Sequence, residues 1–224
     1  MDAHGTAPDR PPGLFAYLTE PDWRQLRSLG TRRAFAAGDQ LFRQGDGAGL
    51  VYLIVDGAVK VIRSEPAGKQ TILTIRSVGD VIGDMSALDG QPRSASVAAI
   101  TRLGCQAIAG PVFRHFVDQP TVASAFARYT ATRLREADVQ RTELAVLPVR
   151  QRLARALLRL HEAVDHDQRL DLPQQDLAEL VGASRNAVVL ALGVLRAEGI
   201  LDTQRRRVAI RDPGGLRHAA DHRV

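Results

Sequence analysis

Hydrophobic and polar positions along this chain change period more than once, and each change marks a boundary. From residue 14 to 29 the apolar side chains fall at helical spacing: Leu14, Tyr17 and Leu18, then Trp23, Leu26 and Leu29, with Pro21 expected to break the run. From Arg33 the pattern becomes short apolar runs separated by glycine turns, at residues 40–43, 50–55, 58–62, 71–75, 78–82, 95–100 and 105–108. Asp56-Gly57 joins two of these as a tight hairpin, and Pro66-Ala67-Gly68 separates the next pair. Short strands at such regular turn spacing predict an antiparallel β-roll of the jelly-roll kind.

Helical spacing returns at residues 111–116 and, from Pro120, over a long helix to about residue 147. One side of this helix carries Ala123, Ala127, Thr130, Leu134, Ala137, Arg141 and Leu144 at alternating intervals of three and four, as in a seam that packs on a symmetry mate. Pro148 marks the next boundary, because proline is tolerated in the first turn of a helix and not in its interior. Leu153, Ala156, Leu157, Leu160 and Ala163 then form an amphipathic helix, followed by a polar run at residues 165–169. His161 and His166 lack a metal-ligand spacing and are read as surface residues.

Residues 173–189 have the layout of a helix-turn-helix. Ala178 is small where two helices cross closely, Gly182 supplies the turn, and Ser184 is placed to cap the second helix. Val188, Ala191, Leu192 and Leu195 give that helix its buried face, leaving Arg185 and Asn186, types that read guanine and adenine edges, exposed near its start. Beyond Gly199, residues 200–203 and 208–210 bracket Gln204, Arg205, Arg206 and Arg207, a hairpin wing with a basic tip suited to phosphates. The expected DNA contacts are Gln174, Gln175, Ser184, Arg185, Asn186, Val189, Arg205, Arg206 and Arg207.

The chain is therefore read as α+β. A disordered tail (1–13) precedes the β-roll domain (14–119), the long helix (120–147) and the winged helix-turn-helix (148–224). Its 224 residues suffice for two modest domains. No apolar run approaches the ~18 residues of a membrane span, and the polar, proline-rich start is expected to be neither signal peptide nor anchor. A single cysteine, Cys105, excludes an internal disulfide and an iron–sulfur cluster, and the cytoplasm is the expected compartment. The net charge of +5 is concentrated: residues 184–211 carry six arginines against Glu198 and Asp202, the electrostatic footprint expected on nucleic acid.

The remaining candidate chemistry lies at residues 83–95. Glycine and serine there let the backbone turn tightly and present N–H groups to a phosphate, and Arg93 follows a Gly-Gln-Pro turn from which a guanidinium can clamp phosphate oxygens. Asp84 can accept hydrogen bonds from a sugar hydroxyl. This stretch resembles the phosphate-binding cassette of cyclic-nucleotide-binding domains, with Asp84 where that family has glutamate. The glycine order upstream, Ala37-Gly38-Asp39 through Gly45-Asp46 and Leu53-Ile54-Val55 through Gly57 and Val59, extends the likeness over residues 32–117.

A β-roll, a long helix and a winged helix-turn-helix in this order resemble the CRP/FNR family of bacterial transcription regulators, over about residues 14–212. The resemblance implies a homodimer on a palindromic double-stranded DNA operator, RNA polymerase as a partner, and a cyclic nucleotide, cyclic AMP first, as allosteric ligand with no other cofactor. It implies a ligand site drawn from Val81, Ile82, Gly83, Asp84, Met85, Ser86, Arg93, Ser94, Ala95, Arg133, Ala137 and Asp138, and a long helix that is the dimer interface. Ala137-Asp138 replaces the Thr-Ser pair that reaches the adenine in the cyclic AMP receptor, and Leu190 stands where its recognition helix has a second arginine. The lone cysteine excludes the oxygen-sensing branch. Other readings are the same regulator answering to cyclic GMP, cyclic di-GMP or no ligand, and a regulatory subunit of a partner enzyme. No nucleophile elbow, acid–base pair or metal cluster points to an enzyme.

Overall fold

The computed structural model describes residues 13–66, 68–163, 172–204 and 207–221, the side chains of Gln204 and Arg207 excepted. Residues 1–12 of the expected tail, the polar run at 165–169, His166, Arg205 and Arg206 lie outside the described residues. A 3-10 turn (Gly13–Ala16) and helix α1 (Glu20–Ser28) open the fold. The expected break in the helical run falls at residues 17–19, just ahead of Pro21. Pro21 sits in the first turn of α1, where an N–H has no helical acceptor anyway, and the Thr19 hydroxyl accepts from the Asp22 N–H to cap the end.

Eight strands follow: β1 (Thr31–Phe35), β2 (Gln40–Phe42), β3 (Leu50–Asp56), β4 (Val59–Ser64), β5 (Gln70–Arg76), β6 (Val81–Ile82), β7 (Ser96–Ala99) and β8 (Leu103–Ala109). They pair antiparallel into two four-stranded sheets, β1-β8-β3-β6 and β2-β7-β4-β5. The apolar run of β3 is buried on both faces. Tyr52 and Ile54 join Val59, Val97 and Leu103 between the sheets, while Val51 and Leu53 join a second cluster with Leu14, Phe113, Phe116 and Phe126 from the helices outside. Gly57 in the β3–β4 turn has φ +81°, and a Cβ there would lie 2.2 Å from the Arg102 carbonyl oxygen.

Short helix α2 (Asp84–Asp89) occupies the β6–β7 crossing, and α3 (Gly110–Val117) leads into the long helix α4 (Pro120–Val146). The first half of α4 buries Val122, Ala125, Phe126 and Tyr129 against the roll, whereas Leu134 and Leu144 of the seam stand exposed. Beyond Pro148 come α5 (Val149–Ala163), α6 (Gln174–Leu180), α7 (Arg185–Ala197), the hairpin β9 (Leu201–Gln204) with β10 (Arg207–Ile210), and α8 (Pro213–Asp221). Helix α8 is absent from the sequence expectations; it closes the core by burying Leu216, Ala219 and Ala220 with Leu153 and Leu157. Ala58 and Ile100 of the roll join this same cluster, and Lys60 Nζ meets Asp176 Oδ2 at 2.5 Å, so α6 rests on the β2-β7-β4-β5 sheet. Among the described residues no single helix is long and apolar enough to cross a membrane.

Candidate nucleotide and DNA sites

The cassette begins at Gly83, whose φ of +84° turns the chain from β6 into α2. A Cβ at this position would lie 2.5 Å from Arg93 Nη1, so glycine is needed both for the turn and for the approach of the arginine. Arg93 is buried. Its Nη1 donates to the Gly83 carbonyl at 2.9 Å and its Nη2 to the Leu50 carbonyl at 2.6 Å. Its guanidinium stacks 4.3 Å from the ring centroid of Phe42, which in turn stacks on Tyr52. Arg93 forms no ion pair among the described residues, and its buried Nε–H has no acceptor there. Burial depresses its pKa despite opposing Tyr52, Asp46 and Asp84. A buried cation held only by neutral carbonyls and a ring is incompletely compensated, and a negative charge beside it is electrostatically favoured.

Asp84 is buried at the start of α2 and accepts from Arg133 Nη1 of α4 at 2.8 Å. Arg133 lies 5.3 Å over the Tyr129 ring, one helical turn earlier. The Tyr129 hydroxyl donates to Asp80 Oδ1 at 2.7 Å and accepts from the Val81 N–H at 3.3 Å. Burial disfavours the Arg133 charge, but Asp84, Tyr129 and Asp80 outweigh it and hold its pKa above the ordinary value. For Tyr129, burial and then Asp80 push the phenol up, so it stays protonated and can donate. Arg114 Nε and Nη2 both donate to the Ala87 carbonyl, fixing α2 to α3.

Of the expected ligand residues, Ile82, Gly83, Asp84, Met85, Ser86, Arg93, Ser94, Ala95 and Arg133 line one cavity of about 60 Å³, together with Phe42, Val61 and Val97. Val81 lies behind it, paired with Leu53. Ala137 and Asp138 are not among its walls: Asp138 is exposed and paired with Arg141 at 2.8 Å on the seam side of α4. Phe42, Tyr129, Asp80 and Arg114 were not anticipated. Tyr129 could have been found from its place four residues before Arg133 on the same helical face.

In the second site, the Ser184 hydroxyl accepts from the Ala187 N–H at 3.2 Å and caps α7 as expected. Gly182 has φ +58° in the turn, and Ala178 is buried beneath it. Arg185, Asn186 and Val189 are exposed on the first two turns of α7, and Val188, Ala191, Leu192 and Leu195 are buried on its other side. Gln175 and Ser184 share a cleft of about 630 Å³ with residues 68–71 of the β4–β5 turn, and Gln174 is half-buried at the start of α6. Strands β9 and β10 form the wing; the side chain of Arg207 is outside the described set with Arg205 and Arg206.

Both halves match known families. The cyclic nucleotide-binding domain family matches residues 32–120, and the Crp-like helix-turn-helix domain family matches residues 151–219. A CRP-like cAMP-activated global transcriptional regulator of Mycobacterium tuberculosis is 30% identical over 83% of this chain and 86% of its own length. The cyclic AMP receptor protein of Thermus thermophilus is 30% identical over 97% of this chain and 95% of its own. The chain belongs to the CRP/FNR family.

Two solved structures agree with that membership. A CRP-family transcriptional regulator from Thermus thermophilus covers 85% of this chain and 97% of its own at 25% identity, with a TM-score of 0.72. A c-di-GMP responsive global regulator of Xanthomonas campestris covers 86% and 99% at 25% identity, with a TM-score of 0.70. This CRP/FNR chain is thus a cyclic nucleotide-binding transcription regulator with a DNA-binding helix-turn-helix, and not an enzyme. Burial raises the pKa of its one thiol, Cys105, to about 11, so that thiol is protonated at neutral pH.

Proposed function

We infer that the chain is a homodimer that reads a palindromic DNA operator under the control of cyclic AMP bound in the β-roll. The observation that carries this is Arg93, a buried guanidinium with two neutral carbonyl partners and an Nε–H that has no acceptor among the described residues. A cyclic phosphate brings the missing negative charge, and its two free oxygens accept from a guanidinium fork. The cavity of about 60 Å³ is well below the ~300 Å³ of ordinary ligand pockets, so binding has to open its lining. A nucleotide that competes with Arg133 for Asp84 acts on the element that carries Arg133, which is α4.

Movement of α4 matters because its seam, with Leu134 and Leu144 exposed, is where a second copy packs in this reading. The spacing of two recognition helices must match successive major grooves about 34 Å apart, and the relative disposition of two copies of α4 sets it. On this reading the protein works in the cytoplasm with RNA polymerase as partner. The likeness to the Xanthomonas campestris regulator favours a second ligand class, cyclic di-GMP. Calorimetric titration with cyclic AMP, cyclic GMP and cyclic di-GMP, followed by DNA-binding anisotropy with and without each, tests both. Saturable cyclic AMP binding that tightens DNA binding supports the first reading. Binding of cyclic di-GMP alone selects the second, and no binding by any of the three refutes cyclic-nucleotide control.

A further inference from the structure

A second, larger cavity of about 440 Å³ lies away from the cassette, where β5, α4, α5 and α6 meet, and it shares no wall residue with the cassette cavity. Its apolar walls come from both halves of the chain: Ile75 of β5 and Val139 of α4 on one side, Ala156 and Ala163 of α5 with Leu180 of α6 on the other. Its volume falls in the range of small-molecule sites, ~300–1,000 Å³.

The charged groups at this cavity are unbalanced. Arg76, Arg135 and Arg159 line it against a single carboxylate, Glu136. Arg159 is paired with Glu143 at 3.0 Å, and Arg76 Nη1 reaches Glu136 Oε2 at 3.1 Å. The Arg76 side chain is only 11% exposed, yet its buried Nε–H has no acceptor among the described residues. Arg135 has Thr132 as a neutral partner at 3.4 Å. Apolar walls beside under-compensated guanidinium groups fit a molecule with a hydrocarbon body and a negative head, and repel one with a positive head.

We propose that this cavity binds a small organic anion, a carboxylate carried on an acyl or aromatic body, at a site separate from that of the cyclic nucleotide. The carboxylate meets Arg135 and the accessible edge of Arg76, adding to the pairing Glu136 supplies, while the hydrocarbon fills the space between Ile75, Val139 and Leu180. Because β5 and α4 form one wall and α5 and α6 the other, the bound anion favours the arrangement in which the DNA-reading helices rest on the roll. The ligand is therefore a second input to the same regulator, acting at the joint between its halves.

The test uses the full-length protein and three probes below their micelle concentrations: decanoate, 2-naphthoate and decylammonium, titrated calorimetrically with and without saturating cyclic AMP. Expected is saturable binding of at least one carboxylate at one per chain, retained but weakened when cyclic AMP saturates the cassette, with decylammonium about tenfold weaker or worse. Which carboxylate binds more tightly distinguishes an acyl from an aromatic body. Arg76→Gln should weaken the carboxylate about tenfold. Val139→Glu, at a half-exposed position whose change leaves the core intact, should do the same while cyclic AMP affinity stays as in the unaltered protein. The proposal is overturned by absence of saturable binding for both carboxylates, by equal affinity for decylammonium, or by undiminished carboxylate binding in Val139→Glu.

Discussion

Arg133 Nη1 lies 2.8 Å from Asp84 Oδ2, and this ion pair fastens the long helix to the nucleotide cassette across 49 positions of sequence. Both side chains are largely buried, so the pair is little screened by salt. Asp84→Asn keeps the shape and removes the charge. Nucleotide affinity is expected to fall by about 1.5–3 kcal/mol, the range of a hydrogen bond to a charged group. The ligand-induced gain in DNA affinity should shrink with it, because the cassette loses its hold on α4. Calorimetry with cyclic AMP and DNA anisotropy measure the two effects; an undiminished gain would show that coupling runs elsewhere.

Arg93→Ala should abolish nucleotide binding and also cost stability, since the Gly83 and Leu50 carbonyls lose their buried donor. Arg93→Lys keeps the charge without the planar fork, so it is expected to bind weakly and melt between the other two. Thermal melting and calorimetry on the three proteins separate the structural from the binding role. Equal nucleotide affinity in all three would remove Arg93 from the site.

Ala137 offers no side-chain hydrogen bond, and an ionised Asp138 can only accept one. Cyclic AMP should therefore bind less tightly than it does when Ala137→Thr and Asp138→Ser are introduced together, and its effect on DNA affinity should rise in the double variant. The two residues stand outside the cassette cavity of their own chain, so the gain should appear only in the dimer. A large ligand effect that the double substitution leaves unchanged would refute a role for this pair in base recognition.

Lys60 and Asp176 meet at 2.5 Å with side chains 20% and 15% exposed, holding α6 on β4. Docked in this way, Gln175 and Ser184 share their cleft with the β4–β5 turn. Lys60→Gln should release the DNA-reading helices, at a cost to the docked form between the ~1 kcal/mol of an exposed pair and the ~3 kcal/mol of a buried one. DNA affinity without nucleotide should rise several-fold, and nucleotide affinity should rise with it, because the released form is the one both bind more tightly. A fall in ligand-free DNA affinity would mean that the docked arrangement is the DNA-competent one.

Arg185→Ala should cost about 1–3 kcal/mol at one base position of each half-site. Arg206→Ala should weaken all sequences alike and flatten the dependence on salt. Competition between operator variants at two salt concentrations distinguishes the two. A sequence-blind loss from Arg185→Ala would assign it to the phosphate backbone.

Sequence alone determined what depends on neighbours along the chain. Turn glycines, the Ser184 cap and the buried face of α7 are local, because φ preferences and helical period act over a few residues. The break ahead of Pro21 is equally local: proline is tolerated only in the first turn of α1, and the Thr19 hydroxyl caps that end. Asp56-Gly57 turns the chain but does not make the expected hairpin: β3 and β4 on either side of it pair in different sheets, which only the packing of the roll decides. Only the tertiary structure decided which distant groups share a site. Phe42 under Arg93, the Asp80–Tyr129 link behind the cassette, the docking of Asp176 on Lys60 and the arginine-lined cavity at the joint are pairings across tens to more than a hundred positions. No periodicity records them, because they exist only where the packing of sheets and helices brings side chains within a few ångströms. The placement of Ala137 and Asp138 outside their own cassette is of the same kind. Helical spacing assigned them to α4, but which wall they complete depends on what packs against its seam.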